Sequence, residues 1–187
     1  MRENLKQYFD EHKRAMDLFL SSNELPRVVE SIILSLKSGG TLYAFGNGGS
    51  AADASHFVAE LVGRFEVNRT PYRAICLNSD TALLTALAND YGYEHIFERQ
   101  VSAFVNRGDI VVGFSTSGRS ANVVKGLERA HNAGAITGGF TGDSISSPIL
   151  SVIDYNIAVS SQRTCIIQEI HQMAIHFIAS QVEKELK

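Results

Sequence analysis

Gly46-Asn47-Gly48-Gly49-Ser50-Ala51-Ala52-Asp53-Ala54-Ser55-His56-Phe57-Val58-Ala59-Glu60-Leu61-Val62-Gly63-Arg64 directly follows the apolar run Thr41-Leu42-Tyr43-Ala44-Phe45. The run reads as a buried strand, and the alanine-rich stretch after it as a helix. Glycines at the junction allow a sharp turn and a close backbone approach to a ligand. The helix start adds unpaired N–H groups and a partial positive charge, so the turn favours an anion, most simply a phosphate. His56 and Glu60 are four residues apart, roughly 40° around a helix, and project from one side. An anion cradle and a His/Glu pair therefore share one short element, as a phosphorylated substrate with chemistry close to its phosphate requires.

Working outward, residues 3–20 have helical apolar spacing through Leu5, Tyr8, Phe9, Met16, Phe19 and Leu20. Ser21-Ser22-Asn23 supplies N-cap residues for a second helix, with Pro26 in its first turn and Gly39-Gly40 as its stop. These two helices precede the sheet and are not crossovers within it. They pack either on a neighbouring subunit or on one face of their own sheet. C-terminal to Arg64, strands are expected at about 73–77, 110–114, 135–140 and 152–159. Helices are expected at 81–88, started by Asn78, Ser79 or Asp80, and at 94–105, 120–132 and 164–185. Alternating strands and helices imply right-handed crossovers and a parallel sheet covered on both faces. In a 2-1-3-4-5 strand order, the loops after the first and third strands flank the switch point where such sheets bind ligands.

The loop after the third strand is Ser115-Thr116-Ser117-Gly118-Arg119-Ser120. Its four hydroxyls and the helix-start amides can donate several hydrogen bonds to one phosphate without fixed charge. Alone it would be an N-cap rich in Ser; across a crevice from the first loop, phosphate binding is the better account. Gly46-x-Gly48-x-x-Ala51 also fits a dinucleotide fingerprint. A nucleotide site wants an acidic residue closing the second strand, where Cys76-Leu77-Asn78 stands, and has no use for the hydroxyl-rich loop. His56 and Glu60 lie among Ala, Phe, Val and Leu, so they are buried or face a cleft and each needs a partner. The last helix adds Gln168, Glu169, His171, Gln172 and His176 among isoleucines. Singly, each is a satisfied polar residue at a packing seam; with His56 and Glu60 they make a metal site or an acid/base pair plausible.

The 187 residues are expected to form a single domain with an ordinary globular composition, 44% hydrophobic and 20% charged. A net charge of -3 with no basic run speaks against nucleic acid. Cys76 and Cys165 form no CxxC motif and are expected to be reduced thiols. No stretch approaches a membrane-spanning length and the N-terminus carries no apolar signal region, so a cytoplasmic location is expected. Arg107-Gly108-Asp109 is a turn before a strand, and Asn68-Arg69-Thr70 a sequon with nothing to indicate secretion.

GNGGSxxDAxHxxxExxGR at 46–64, STSGxSxN at 115–122 and QEIHxxxxH at 168–176 together resemble the phosphoheptose isomerases of the sugar-isomerase (SIS) domain family. The likeness extends over essentially the whole chain, including Ala88-Asn89-Asp90-Tyr91-Gly92. It implies an α/β three-layer sandwich with a five-stranded parallel sheet in flavodoxin-like order, preceded by two N-terminal helices, with residues 1–38 used in oligomer packing. It also implies conversion of sedoheptulose 7-phosphate to D-glycero-D-manno-heptose 7-phosphate for bacterial lipopolysaccharide or capsule, in a cytoplasmic homotetramer that binds zinc. By the same resemblance Asn47, Gly48, Gly49, Ser50, Ser115, Thr116, Ser117, Ser120 and Gln168 would contact substrate, the serine loop holding its phosphate, and Asn89 and Asp90 would line the sugar pocket. Glu60 would be the base, contacting substrate and shuttling a proton through a cis-enediol, and His176 the partner acid. His56, Glu60, Gln168 and His176 would ligate the metal.

Gln168 and His176 are eight residues apart, roughly 12 Å along a helix and about 80° around it. Their convergence on one ion needs both side chains to lean inward or one to come from another subunit, so completion of the site at an interface is expected. The chain departs from the family at Ile166, where relatives usually carry Arg. Two other readings stay open: a non-catalytic sugar-phosphate-binding relative, such as one associating with a replication initiator, and an isomerase of a different phosphorylated ketose.

Overall fold

The computed structural model describes residues 1–143 and 146–186. Five parallel strands, β1 (Leu42–Gly46), β2 (Ala74–Cys76), β3 (Ile110–Ser115), β4 (Ile136–Thr141) and β5 (Tyr155–Ala158), lie in the order β2-β1-β3-β4-β5. The helices are α1 (Arg2–Leu20), α2 (Glu24–Lys37), α3 (Gly49–Val62), α4 (Thr81–Tyr91), α5 (Ile96–Phe104), α6 (Ala121–Asn132) and α7 (Thr164–Glu185). This is the doubly covered sheet expected from the alternation, in the strand order that the family resemblance implies.

The strands sort their side chains by the period of two that a sheet dictates. Leu42, Ala44, Ile110, Val112 and Phe114 face one core with Ile32 of α2, Phe57 and Leu61 of α3, and Ile170, Ile175 and Ile178 of α7. Tyr43, Phe45 and Val111 face the other with Phe97 and Val101 of α5 and Val123 and Leu127 of α6. In-register pairing sets Gly46 beside Phe114, so the loops after β1 and β3 leave the sheet side by side.

Four boundaries differ from expectation. The helix expected over 81–88 runs on to Tyr91. The helix expected over 94–105 is divided: Gly92, with φ +91°, and a 3-10 turn at Tyr93–His95 precede α5. The fifth strand starts late because a 3-10 turn occupies Pro148–Ser151 and Asp154 holds Thr137, accepting from its N–H (2.8 Å) and hydroxyl (3.0 Å). The second strand is a three-residue edge strand. Asp80 starts α4, its Oδ1 accepting from Leu83 N–H at 2.9 Å. The expected Gly/Ser loop before Pro148 lies partly outside the described residues, at Ser144 and Ile145.

The two leading helices differ in how much they bury. α2 covers its own sheet, with Val28 and Ile32 buried and the Ser31 hydroxyl 2.8 Å from Tyr155 Oη of β5. α1 buries only Ala15 and Phe19, leaving Leu5 and Phe9 more than half exposed. The cysteines are free, Cys76 buried and Cys165 exposed. Among the described residues no helix is long and apolar enough to cross a membrane.

Candidate active site

The turn after β1 is built by its neighbours. Asn78, following β2, clamps Gly46: its Oδ1 accepts from Gly46 N–H (3.1 Å) and its Nδ2 donates to Gly46 O (3.0 Å). The position where a dinucleotide site would want a carboxylate thus carries an amide that shapes the turn. Gly48 then takes φ +55°, a conformation that favours glycine. The amides of Ser50 and Ala51 close onto the carbonyls of Asn47 and Gly48, so the helix begins at once.

Asn47 is held in place by its neighbours. Its Nδ2 donates to Asn122 Oδ1 and its Oδ1 accepts from Asn122 Nδ2, both at 2.9 Å, while Tyr93 Oη donates to the same oxygen at 2.8 Å. This reciprocal amide pair joins the two loops across the switch point. The serine loop turns at Gly118, φ +62°, whose N–H donates to Ser115 O at 2.9 Å. Ser115 and Ser120 share a hydroxyl contact of 3.0 Å, and Arg119 N–H donates to Ser117 Oγ at 3.2 Å. Thr116, Ser117 and Arg119 line one side of a cleft of about 320 Å³ that Asp143, Ser161, Gln162, Thr164 and Ile167 close from the other side.

α3 and α7 run parallel and meet along a polar seam. Gln168 stands against the first turn of α3, where a Cβ added at Gly49 would lie 2.4 Å from its Nε2. One turn on, Gln172 Nε2 donates to Asp53 Oδ1 at 2.5 Å. Burial pushes the Asp53 carboxyl up, the Gln172 bond only partly opposing it. Next, His56 Nε2 lies 3.0 Å from Glu60 Oε1 and 3.1 Å from His176 Nε2, so three potential ligand atoms lie within 4.8 Å of one another. The ring of Phe65 lies 5.7 Å from that of His176.

The donor set fits a metal. The two facing imidazole nitrogens and a carboxylate oxygen have too few protons among them to satisfy every lone pair, whereas one cation would satisfy all three. Their separations of 3.0 and 3.1 Å are close to the roughly 3.3 Å edge of a tetrahedron with bonds of about 2.0–2.1 Å, as zinc makes to N and O.

The expected residues thus fall into groups. His56, Glu60 and His176 come together within one chain, so these three need no neighbouring subunit. Gln168 lies at the Gly49 turn, and Gly48, Gly49 and Ser50 form that turn. Ser115, Thr116, Ser117 and Ser120 form the second loop. Asn89 and Asp90 sit at the exposed end of α4, where Asn89 Nδ2 donates to Asp90 Oδ1 at 2.8 Å rather than to another residue of the set. Ile166 is buried in the core, so the departure from the family pattern puts an apolar side chain inside the protein. Sequence reasoning gave no role to Asn122 or Tyr93. Asn122 was visible as the last residue of STSGxSxN, but no periodicity announces a cross-loop amide pair.

The chain is similar to known proteins over nearly its whole length. Residues 7–142 match the SIS domain. The chain is 45% identical over 186 residues to the phosphoheptose isomerase of Aquifex aeolicus, covering 98% of this chain and 97% of that one. It is 41% identical to the phosphoheptose isomerase of Geobacter metallireducens, covering 100% and 99%. Phosphoheptose isomerase structures superpose closely: that from Neisseria gonorrhoeae with TM-score 0.90 at 35% identity (98% of each chain), that from Francisella tularensis with 0.92 at 29% (97% of each). The chain belongs to the SIS-domain family. Within it, its place is among the phosphoheptose isomerases, and it is an isomerase.

Proposed function

We propose that the protein interconverts sedoheptulose 7-phosphate and D-glycero-D-manno-heptose 7-phosphate, with Glu60 and His176 as its acid–base pair. The observation that carries this reading is the convergence of the Glu60 carboxylate and the His176 imidazole on His56, on the helix that starts at the carboxyl end of β1. Moving a hydrogen between C1 and C2 of a sugar needs a base at carbon, an acid at oxygen, and stabilisation of the enediolate between them. Glu60 removes the C1 proton of the open-chain ketose and returns it to C2. His176 moves the proton between the two oxygens, so the cis-enediol forms and collapses with no net gain or loss. The Ser115–Ser120 hydroxyls rotate from each other to the phosphate, which holds the far end of the sugar. His56, Glu60 and His176 would hold zinc, with Gln168 joining as a fourth donor from a neighbouring subunit, because within one chain it stands at the Gly49 turn; as a Lewis acid the ion would stabilise negative charge on the reacting oxygens.

The relatives named as phosphoheptose isomerases support the substrate class. We further assign the reaction to heptose supply for lipopolysaccharide or capsule in the cytoplasm, and the working assembly to a homotetramer. The test is turnover of sedoheptulose 7-phosphate by wild type, Glu60→Gln and His176→Ala. Wild-type turnover should drop by about 10²–10⁴-fold in each variant. Tight binding without wild-type turnover would instead mark a sugar-phosphate sensor, and turnover of another ketose phosphate alone would reassign the substrate.

A further inference from the structure

Glu183, near the end of α7, is 3% exposed, and its carboxylate is filled from the loop after α3. Oε1 accepts from Phe65 N–H (2.8 Å) and Arg69 Nε (3.2 Å); Oε2 accepts from Glu66 N–H (2.9 Å) and Val67 N–H (3.2 Å). Burial alone pushes this carboxyl up, but the three amides and the guanidinium outweigh it and hold it below the usual carboxylate range. The rest of Arg69 faces α3. Its Nη1 donates to Leu61 O and its Nη2 to the carbonyl of Glu60 itself, both at 2.8 Å, while the guanidinium lies 3.8 Å from the centre of the Tyr72 ring.

A helix leaves its last four carbonyls without partners inside it. On α3 two of these are taken by one planar fork, and one of the two belongs to the residue whose carboxylate meets His56 and His176. The anchor of that fork, Glu183, follows His176 by seven residues, two turns along nearly the same face of α7. Phe65 closes the bracket: its N–H is bound by Glu183 and its ring lies beside His176. Apolar contact already holds the two helices together, since Leu61 and Val182 are fully buried. Such contact has no direction, whereas a forked ion pair fixes how far one helix is advanced along the other.

We propose that Arg69 and Glu183 are positioning residues that set the separation of the Glu60 carboxylate from the His176 imidazole. The proposal rests on the reading of those two groups as the acid–base pair. Neither Arg69 nor Glu183 touches the reacting atoms; each acts through the helix it holds.

The test compares Arg69→Lys and Glu183→Gln with Val101→Ala, a core truncation in α5 on the other face of the sheet that lowers the thermal midpoint without touching the seam. Arg69→Lys keeps the charge but cannot serve a carboxylate and two carbonyls in one plane. We expect its kcat to fall about 10–100-fold with KM nearly unchanged, and its Zn²⁺ affinity, read by chelator competition, to weaken by a similar factor. Glu183→Gln, which keeps the acceptor oxygen, should fall between Arg69→Lys and wild type. Val101→Ala should lose thermal stability and keep kcat. An Arg69→Lys protein that loses stability but keeps both kcat and Zn²⁺ affinity would overturn the proposal. If wild type fails to turn over the heptose phosphate, the functional reading fails, and the crystal structure of Arg69→Lys decides the positioning role alone. Displacement of Glu60 or His176 out of the 4.8 Å cluster supports it; an unchanged cluster sinks it.

Discussion

His171 and His176 sit on the same helix, five residues apart and about 140° around its axis, and this angle separates a structural histidine from a chemical one. His176 lies on the side of α7 that carries Gln168 and Gln172 towards α3. His171 points into the sheet, fully buried, its Nε2 3.1 Å from Thr141 O and its ring edge-on to Phe140 at 5.3 Å between centroids. Donation to that carbonyl sets the tautomer, with the proton on Nε2, and burial keeps the ring neutral. Burial pulls its pKa from 6.5 down to about 4, the carbonyl opposing it only in part. The unfolded chain therefore binds this proton first as pH falls. Stability is undiminished above about pH 6.5 and is lost progressively down to about pH 4, by roughly 3 kcal/mol from this group. Urea midpoints of wild type and His171→Leu at pH 7 and pH 4.5 check this. The variant starts lower, because Thr141 O loses one of its two donors and keeps only the Val159 N–H, but its midpoint should drop less between the two pH values. Equal drops would show that other groups carry the acid sensitivity. In the sequence the two histidines looked alike; the helical angle was calculable, but which side faced the sheet was decided by packing.

At the scale of elements, the strand-turn-helix unit 42–62 holds two glycines with different duties. A Cβ at Gly46 would lie 2.7 Å from Ser50 O and 2.8 Å from Ser50 C, both backbone atoms of the first turn of α3. A Cβ at Gly49 would meet only the end of the Gln168 side chain. Gly46→Ala must shift the helix start and should cost about 2 kcal/mol of stability. Gly49→Ala should unfold within about 1 kcal/mol of wild type, since Gln168 can swing away and alanine suits a helix. It should nonetheless lower kcat/KM about tenfold or more by displacing Gln168. Thermal unfolding and steady-state kinetics on both variants read the two quantities separately, and a Gly49→Ala protein with unchanged kcat/KM would remove Gln168 from the site. The unit itself was legible because an apolar run, a glycine turn and an alanine-rich amphipath each carry a local signal. The parallel sheet was legible from the alternation of strands and helices, and its strand order from the family resemblance. The seam between α3 and α7 was legible only in part, since His56 and Glu60 were set beside the polar residues of α7 but Asp53 and Glu183 were given no place in it. Its members are over a hundred residues apart, and Glu183 in Gln181-Val182-Glu183-Lys184-Glu185 has the look of a solvated helix end.

At the scale of the whole molecule, two surfaces are more apolar than an isolated chain needs. Leu5 and Phe9 of α1 are 55% and 64% exposed, and Leu34 of α2 is 64% exposed beside Phe177 of α7 at 41%. Leu34 and Phe177 flank a groove of about 490 Å³ that Pro26, Val29 and Ile33 also line. Contiguous apolar exposure of this kind marks an interaction surface. The proposed homotetramer would cover it, with a light-scattering mass of four times the 20.4 kDa chain. Leu34→Glu sets a charge into that contact while leaving its own core intact, because the side chain already points outward. The variant should keep its far-UV circular dichroism and fall to a smaller assembly. Its activity then decides what the assembly does for the site. His56, Glu60 and His176 converge without a neighbour, so dissociation should spare the triad. Yet the His56 side chain remains 38% exposed and that of Glu60 22%, too open for a carboxylate to work on a carbon acid shielded from water. A neighbouring subunit that walls off this mouth makes kcat fall on dissociation even though the triad stays in place. A dissociated Leu34→Glu protein with full kcat would mean that one chain suffices, and that the apolar faces serve assembly alone.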